Sequence, residues 1–125
     1  MPPAATTTES ACFVLHALPA QGRDLPADTD HLLARTGAGA LLLIHVPPGE
    51  YAYESHSLPE YIVCVDGLLA MQAEHGVRIM AERGQMVEVP PGLRHRFAPE
   101  SNAVILTLAQ AKVSLAGSST LSNDA

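Results

Sequence analysis

Tryptophan is absent from this chain, phenylalanine occurs only twice, and aromatic residues make up 4% of the total, too few to build a broad stacking platform for bases or ring systems. Basic residues are scarce as well. Seven Lys plus Arg against thirteen Asp plus Glu leave a formal charge of −6, and the few cations are scattered, so nucleic acid and anionic membrane are expected not to be partners. Cys12 and Cys64 are the only cysteines, insufficient for a disulfide framework and not spaced as a zinc site, which points to a reduced, cytoplasmic protein. No apolar run approaches the roughly 18 residues of a membrane span, and "MPPAATTTES" has neither the basic start nor the apolar centre of a signal peptide. A helical period of 3.6 is missing too, apart from "TDHLLARTG", which is compatible with one short helical turn.

What the chain does have is a succession of short β-branched and aliphatic runs, every eight to twelve residues, each bounded by Gly, Pro or Asp. The pattern predicts an all-β sandwich or barrel. Strands are expected near "FVLHAL", "HLLART", "ALLLIHV", "EYAYE", "EYIVCV", "LAMQAE", "VRIMA", "QMVEV", "HRFAP" and "AVILTLAQ". "PPG" at Pro47 to Gly49 and again at Pro90 to Gly92 marks tight corners. "DG" at Asp66 and Gly67 and "HG" at His75 and Gly76 read as hairpin turns. Residues 1–10 and the tail 111–125 are small, polar and aperiodic and are expected to be mobile, leaving residues 11–110 as one domain. At 125 residues such a domain buries enough surface to fold without staples.

The chemistry concentrates in "ESHSLPEYIVCVDG", Glu54 to Gly67. Two residues apart on an extended chain, Glu54 and His56 share a face, with Cα atoms roughly 6 to 7 Å apart. Glu60 would lie roughly 13 Å beyond His56 on an uninterrupted strand, so the chain must bend, and "SLP" at Ser57 to Pro59 supplies the bend. A second piece, "GQMVEVPPGLRHRFAP", ends one strand at a proline-glycine corner and opens the next with His95.

The spacing of Gly84, Pro90, Gly92 and His95 in that second piece resembles the second signature motif of the cupin superfamily, departing only at Pro99, where an Asn is usual. The first cupin motif is matched by His56, Glu60 and Gly67, with Glu54 standing where another histidine is usual. The resemblance covers residues 40–110. It implies a double-stranded β-helix, or jelly-roll barrel, whose mouth holds a divalent metal on His56, Glu60 and His95, and it implies a homodimer paired through barrel edges. Two imidazoles and one carboxylate are the facial triad of non-haem iron sites. Glu54 is either a fourth ligand, which would harden the set toward Fe(II) or Mn with Ni and Zn also compatible, or an unligated acid or base whose pKa is raised by burial and by Glu60.

Plainer readings stand beside these. His56, Glu60 and His95 could be hydrogen-bonded pocket polars of a cupin that has lost its metal, although burying Glu60 without a cation is costly. His45 is a possible accessory ligand but is expected to be a satisfied strand residue. His16, His31 and His75 are expected in solvent, Cys64 in the core, and Phe97 and Met86 along the pocket. Tyr51, Tyr53 and Tyr61 lie near the mouth, with Tyr53 taken as a catalytic candidate beside Glu54. Arg94 and Arg96 should face outward or the rim. The function expected is a metal-dependent enzyme of oxygenase, isomerase, lyase or decarboxylase type acting on a small polar molecule. The alternative is a non-catalytic module that binds or senses a small molecule. No helix-turn-helix pattern accompanies the barrel, which argues against a self-contained transcription factor.

Overall fold

A computed structural model describes residues 7–9, 12–113 and 119–121. The order of elements is β1 (Thr7–Glu9), β2 (Val14–His16), α1 (Leu18–Arg23), β3 (His31–Thr36), β4 (Gly39–Val46), β5 (Glu60–Ala73), β6 (Arg78–Glu82), β7 (Met86–Val89), β8 (His95–Phe97), β9 (Asn102–Val113) and β10 (Ser119–Leu121). Strands β1 and β2 form a separate antiparallel pair. The other eight make one antiparallel sheet, running β3-β4-β9-β5-β6, with β7 and β8 paired to β5 and β10 paired to β9. Among the described residues no helix is long and apolar enough to cross a membrane.

The core is built by alternation, while Leu43 of β4 and Val104 of β9, on the opposite face, are also fully buried. Ala40, Leu42, Ile44 and Val46 of β4 and Ala103, Ile105 and Ala109 of β9 face inward with Ile62 and Cys64 of β5, as side chains two apart on a strand must. Side chains such as Ile62, Leu69 and Ile105, 1% exposed or less, each contribute about 1.5–3 kcal/mol by burial.

Strand β5 organises the molecule. Its first half pairs with β7 on one edge and β9 on the other, and its second half pairs with β6 and β8. The inward residues are even-numbered up to Cys64 and odd-numbered from Leu69 to Ala73. A bulge between Cys64 and Asp66 makes that switch, because one extra residue moves every later side chain to the opposite face. Gly67 follows at φ +81°, and a Cβ there would lie 2.0 Å from the Asn102 carbonyl oxygen. The expected "DG" hairpin is therefore a bulge inside one 14-residue strand, and "EYIVCV" and "LAMQAE" are its two halves. The "HG" turn does join β5 to β6, with the Ala73 amide donating to Val77.

Three other local expectations are corrected. "EYAYE" is not a strand; only Glu54 makes a bridge, to His95. "TDHLLARTG" forms no helical turn: His31–Thr36 is β3, the strand expected at "HLLART", paired along its length with β4 apart from an irregularity between Leu32 and Ala34. "FVLHAL" is strand only over β2, and from Leu18 the chain turns into α1, six residues with Pro19 in the first turn. Too short to show a period, α1 is held by its environment. Gly22 packs on Val104, and Arg23 donates to Asp66 (3.1 and 3.2 Å) and to Asn102 (2.7 Å) at the β5 bulge.

Of the two segments expected to be mobile, Thr7–Glu9 pairs with β2, residues 111–113 complete β9, and Ser119–Leu121 pairs back on β9. The remainder of residues 1–10 and 111–125 lies outside the described residues.

Candidate metal centre

Backbone pairing brings the two sequence motifs together before any side chain is considered. Glu54 and His95 exchange amide-to-carbonyl hydrogen bonds at 2.8 and 2.9 Å, and the Gly92 amide donates to the His56 carbonyl at 2.9 Å. Gly92 is at φ +79°, the left-handed conformation that the second "PPG" corner needs and glycine adopts freely. The bend at Ser57 and Leu58 then returns the chain so that Glu60 opens β5 against Val89.

Four side chains converge there. His56 and His95 are 7% and 5% exposed, with ring centroids 5.3 Å apart. Glu60 Oε1 lies 3.3 Å from Nε2 of each histidine, and Glu54 Oε1 lies 3.0 Å from His56 Nε2. Ligand atoms of Glu54, His56 and His95 all lie within 4.8 Å of one another. Neighbouring ligands on one ion with bonds of about 2.1 Å sit roughly 3 Å apart, so these separations fit a common ion.

Hydrogen bonding gives a stricter test. His95 Nδ1 donates to the Leu93 carbonyl at 2.7 Å, which leaves Nε2 as a lone-pair donor facing the cluster. Thr107 donates to Glu60 Oε2 at 3.4 Å, turning Oε1 toward the histidines. Both His56 Nε2 and Glu60 Oε1 are fully buried, and despite their short contacts neither has an aligned hydrogen-bond partner. Buried polar atoms left without partners are unfavourable, and a shared cation would satisfy both. The residues therefore fit a divalent metal.

The electrostatics agree. At His95 burial is the largest influence and favours the neutral ring, but the Glu60 carboxylate, the Leu93 carbonyl and Glu54 outweigh it and raise its pKa above the ordinary histidine value. Burial raises the Glu54 carboxyl, opposed by His56 and His95 and reinforced by Glu60 and Asp28.

Beside Glu54 and Glu60 opens a cavity of about 410 Å³, lined also by Thr107, Leu42, Ile44 and Phe97 and by the exposed Asp28, Thr29 and Asp30. A smaller lobe of about 70 Å³ adds Tyr51, Arg96 and His95. Tyr51 packs edge-on against Phe97 at 5.4 Å and its hydroxyl donates to the Pro47 carbonyl.

The structure brings Glu54, His56, Glu60 and His95 together and does not bring Tyr53 with them. Tyr53 lies under the guanidinium of Arg96 (4.9 Å) and near that of Arg94 (5.9 Å), and is not among the residues lining either lobe. Phe97 lines the cavity as expected, whereas Met86 is 56% exposed and lines a separate apolar cleft behind His95. His45 faces away from the cluster and its Nδ1 donates to the Leu25 carbonyl. Arg94 pairs with Glu74 at the surface, and Cys64 is buried in the core. His31, expected in solvent, is half-buried against Gln21, and His16 has a buried Nδ1.

Two residues of the site have no part in either motif. Thr107 is the polar residue at an otherwise apolar inward position of β9, a signal available in "AVILTLAQ". Asp28 sits on a loop with nothing in its neighbourhood to mark it.

Comparison with known proteins identifies the fold and the family. No curated protein sequence matches the chain. Its fold is shared with a cupin-2 domain containing protein from Shewanella frigidimarina (TM-score 0.65, 17% identity, 73% of this chain and 88% of that one). It is also shared with an RmlC-like cupin of double-stranded β-helix fold from Methanocaldococcus jannaschii (TM-score 0.57, 16% identity, 70% and 84%). A third similar structure is hydroquinone 1,2-dioxygenase from Sphingomonas sp. TTNP3 with 4-hydroxybenzoate bound (TM-score 0.60, 15% identity, 70% and 68%). The family model for the cupin domain matches residues 42–109, more than half of the chain and both halves of the cluster, and the protein therefore belongs to the cupin family.

Proposed function

We propose that the chain is a metal-dependent cupin enzyme that binds one divalent ion, Fe(II) or Mn in preference to Ni or Zn, through His56, Glu60 and His95 with Glu54 beside them. The observation that carries this is the convergence of His56 Nε2 and His95 Nε2 on Glu60 Oε1, 3.3 Å from each, with His56 Nε2 and Glu60 Oε1 buried and without hydrogen-bond partners among the described residues. A bound ion would supply Lewis acidity and open coordination positions for a substrate or for dioxygen.

The chain's own residues do the rest. Thr107 and the Leu93 carbonyl orient Glu60 and His95, the apolar walls exclude water, and Glu54, more exposed than the others and with its pKa raised, is placed to take or give a proton at its Oε1. This last feature favours an enzyme over a passive binding module. The reaction falls among oxygenase, isomerase, lyase and decarboxylase chemistry, and the dioxygenase among the fold neighbours supports the first.

A homodimer is part of the proposal, supported by the exposed apolar side chains Val77, Ile79, Met80 and Met86 on β6, β7 and the turn before β6. A cytoplasmic location fits a chain with only two cysteines. The test is metal analysis of the purified protein followed by assay of the Fe(II)-loaded form for oxygen uptake and product across small acids, thiols, phenols, amines and sugars. Stoichiometric metal with turnover is expected; stoichiometric metal with no turnover would favour the binding module.

A further inference from the structure

We propose that Gln110 is a positioning residue for the metal centre. With the Pro59 carbonyl it holds one water molecule, which receives the Nδ1 proton of His56 and fixes that ring with Nε2 on the ion. The inference rests on the metal-site reading above and adds the outer partner of one ligand.

The two histidines differ in their outer contacts. His95 Nδ1 donates to the Leu93 carbonyl at 2.7 Å, which sets both the tautomer and the tilt of that ring. His56 is buried almost as deeply, 7% exposed against 5%, yet its Nδ1 has no hydrogen-bond partner among the described residues. A neutral imidazole that holds an ion through Nε2 carries its proton on Nδ1, and a buried donor left without an acceptor costs about 1–3 kcal/mol. Nε2 is the nitrogen beside Glu54 and Glu60, at 3.0 and 3.3 Å. The two nitrogens of an imidazole point in divergent directions, so Nδ1 faces away from those carboxylates.

His56 lines neither lobe of the larger cavity but does line a separate pocket of about 20 Å³. One water needs about 10–15 Å³ and two to four polar partners, so this pocket takes a single water and nothing larger. Its other polar side chains are Glu60 and Gln110, and Leu58 and Leu108 are among its apolar walls. Glu60 turns Oε2 to Thr107 and Oε1 to the histidines. The amide of Gln110 is oriented by its own bond, Nε2 donating to the Pro59 carbonyl at 3.0 Å. Because a carbonyl only accepts, the nitrogen must face Pro59, and Oε1 is the acceptor end of that side chain. The water thus accepts from His56 Nδ1 and donates to Gln110 Oε1 and to the second lone pair of the Pro59 carbonyl, about the three bonds that buried waters make. Gln110 and Thr107 both belong to β9, so one strand orients two ligands, Glu60 directly and His56 through the water.

The test combines crystallography, NMR and two variants. Crystals of the native protein should show an ordered water about 2.7–3.2 Å from both His56 Nδ1 and Gln110 Oε1. In the Zn(II)-loaded protein with ¹⁵N-labelled histidine, the Nδ1 protons of His56 and His95 should both be protected from exchange. Gln110→Met removes the acceptor at similar length. It should speed exchange of the His56 proton, leave that of His95 unchanged, and weaken Zn(II) binding by about tenfold in calorimetric titration. Gln110→Glu keeps an acceptor and loses the donor to Pro59, and it should preserve both the His56 proton and an affinity at least equal to the native one. Density without that water, an unchanged His56 proton and affinity in Gln110→Met, equal effects on both histidines, or the same losses in Gln110→Glu as in Gln110→Met would each overturn the inference. A native protein that binds neither Mn(II) nor Zn(II) would instead overturn the metal-site reading beneath it.

Discussion

At the scale of single residues, His56, Glu60, His95 and Thr107 differ in what they should do to metal affinity. Removing one imidazole takes away a donor atom, so His56→Ala and His95→Ala should each weaken binding by more than about 100-fold by calorimetric titration. Thr107 touches only Glu60 Oε2, and Thr107→Val should lower affinity by about tenfold, the size of an orienting contact. Protonation competes with the ion. Because the His95 pKa is raised, metal affinity should fall as pH drops through that raised value, which a pH series of titrations measures. The metal-free fold carries the opposite sign: the stability gained from protonated His95 is fully present below the unfolded-state pKa and is lost as pH rises through the folded one. His56, Glu60 and His95 stood out in the sequence through the resemblance of their two motifs to those of cupins, with the bend at "SLP" and the corner at "PPG" consistent with it. Asp28 did not, since only the fold sets it beside residues two dozen positions later, and Tyr53 was misplaced because "EYAYE" alternates like a strand without pairing as one.

At the scale of elements, the bulge in β5 keeps both halves of a 14-residue strand facing one core. Gly67→Ala would meet both an unfavourable φ and the Asn102 backbone, and a loss of about 2 kcal/mol or more is expected by urea unfolding. Gly22→Ala brings a Cβ to 2.2 Å from Val104 Cγ1. It should cost about 1–3 kcal/mol as an overpacked contact, partly offset by the better helix propensity of alanine. The β-branched runs foretold most strands, since alternation is a local signal. Asp66-Gly67 was read as a hairpin because a positive-φ glycine serves a turn and a bulge equally, and partner strands decide between them. Helix α1 left no periodic trace in six residues and is held by Val104, Asp66 and Asn102, far along the chain.

At the scale of the whole molecule, a bound metal would couple the site to the fold. His56 and Glu60 flank the entry to β5 and His95 opens β8, so an ion that binds only their folded arrangement stabilises the barrel by about 2.7 kcal/mol when present at 100 times its dissociation constant. Chelation should therefore lower the melting temperature by on the order of 10 °C, read by differential scanning calorimetry. The barrel itself was legible through repeated short strands and two spaced motifs, whereas the acidic rim of its mouth emerges only when loop, β4 and β9 meet. The most direct measurement is an anomalous difference map from crystals grown with Mn(II) or Fe(II). One peak about 2.0–2.3 Å from His56 Nε2, Glu60 Oε1 and His95 Nε2 is expected; a map with no peak there, or with those side chains turned apart around water, would contradict the metal centre.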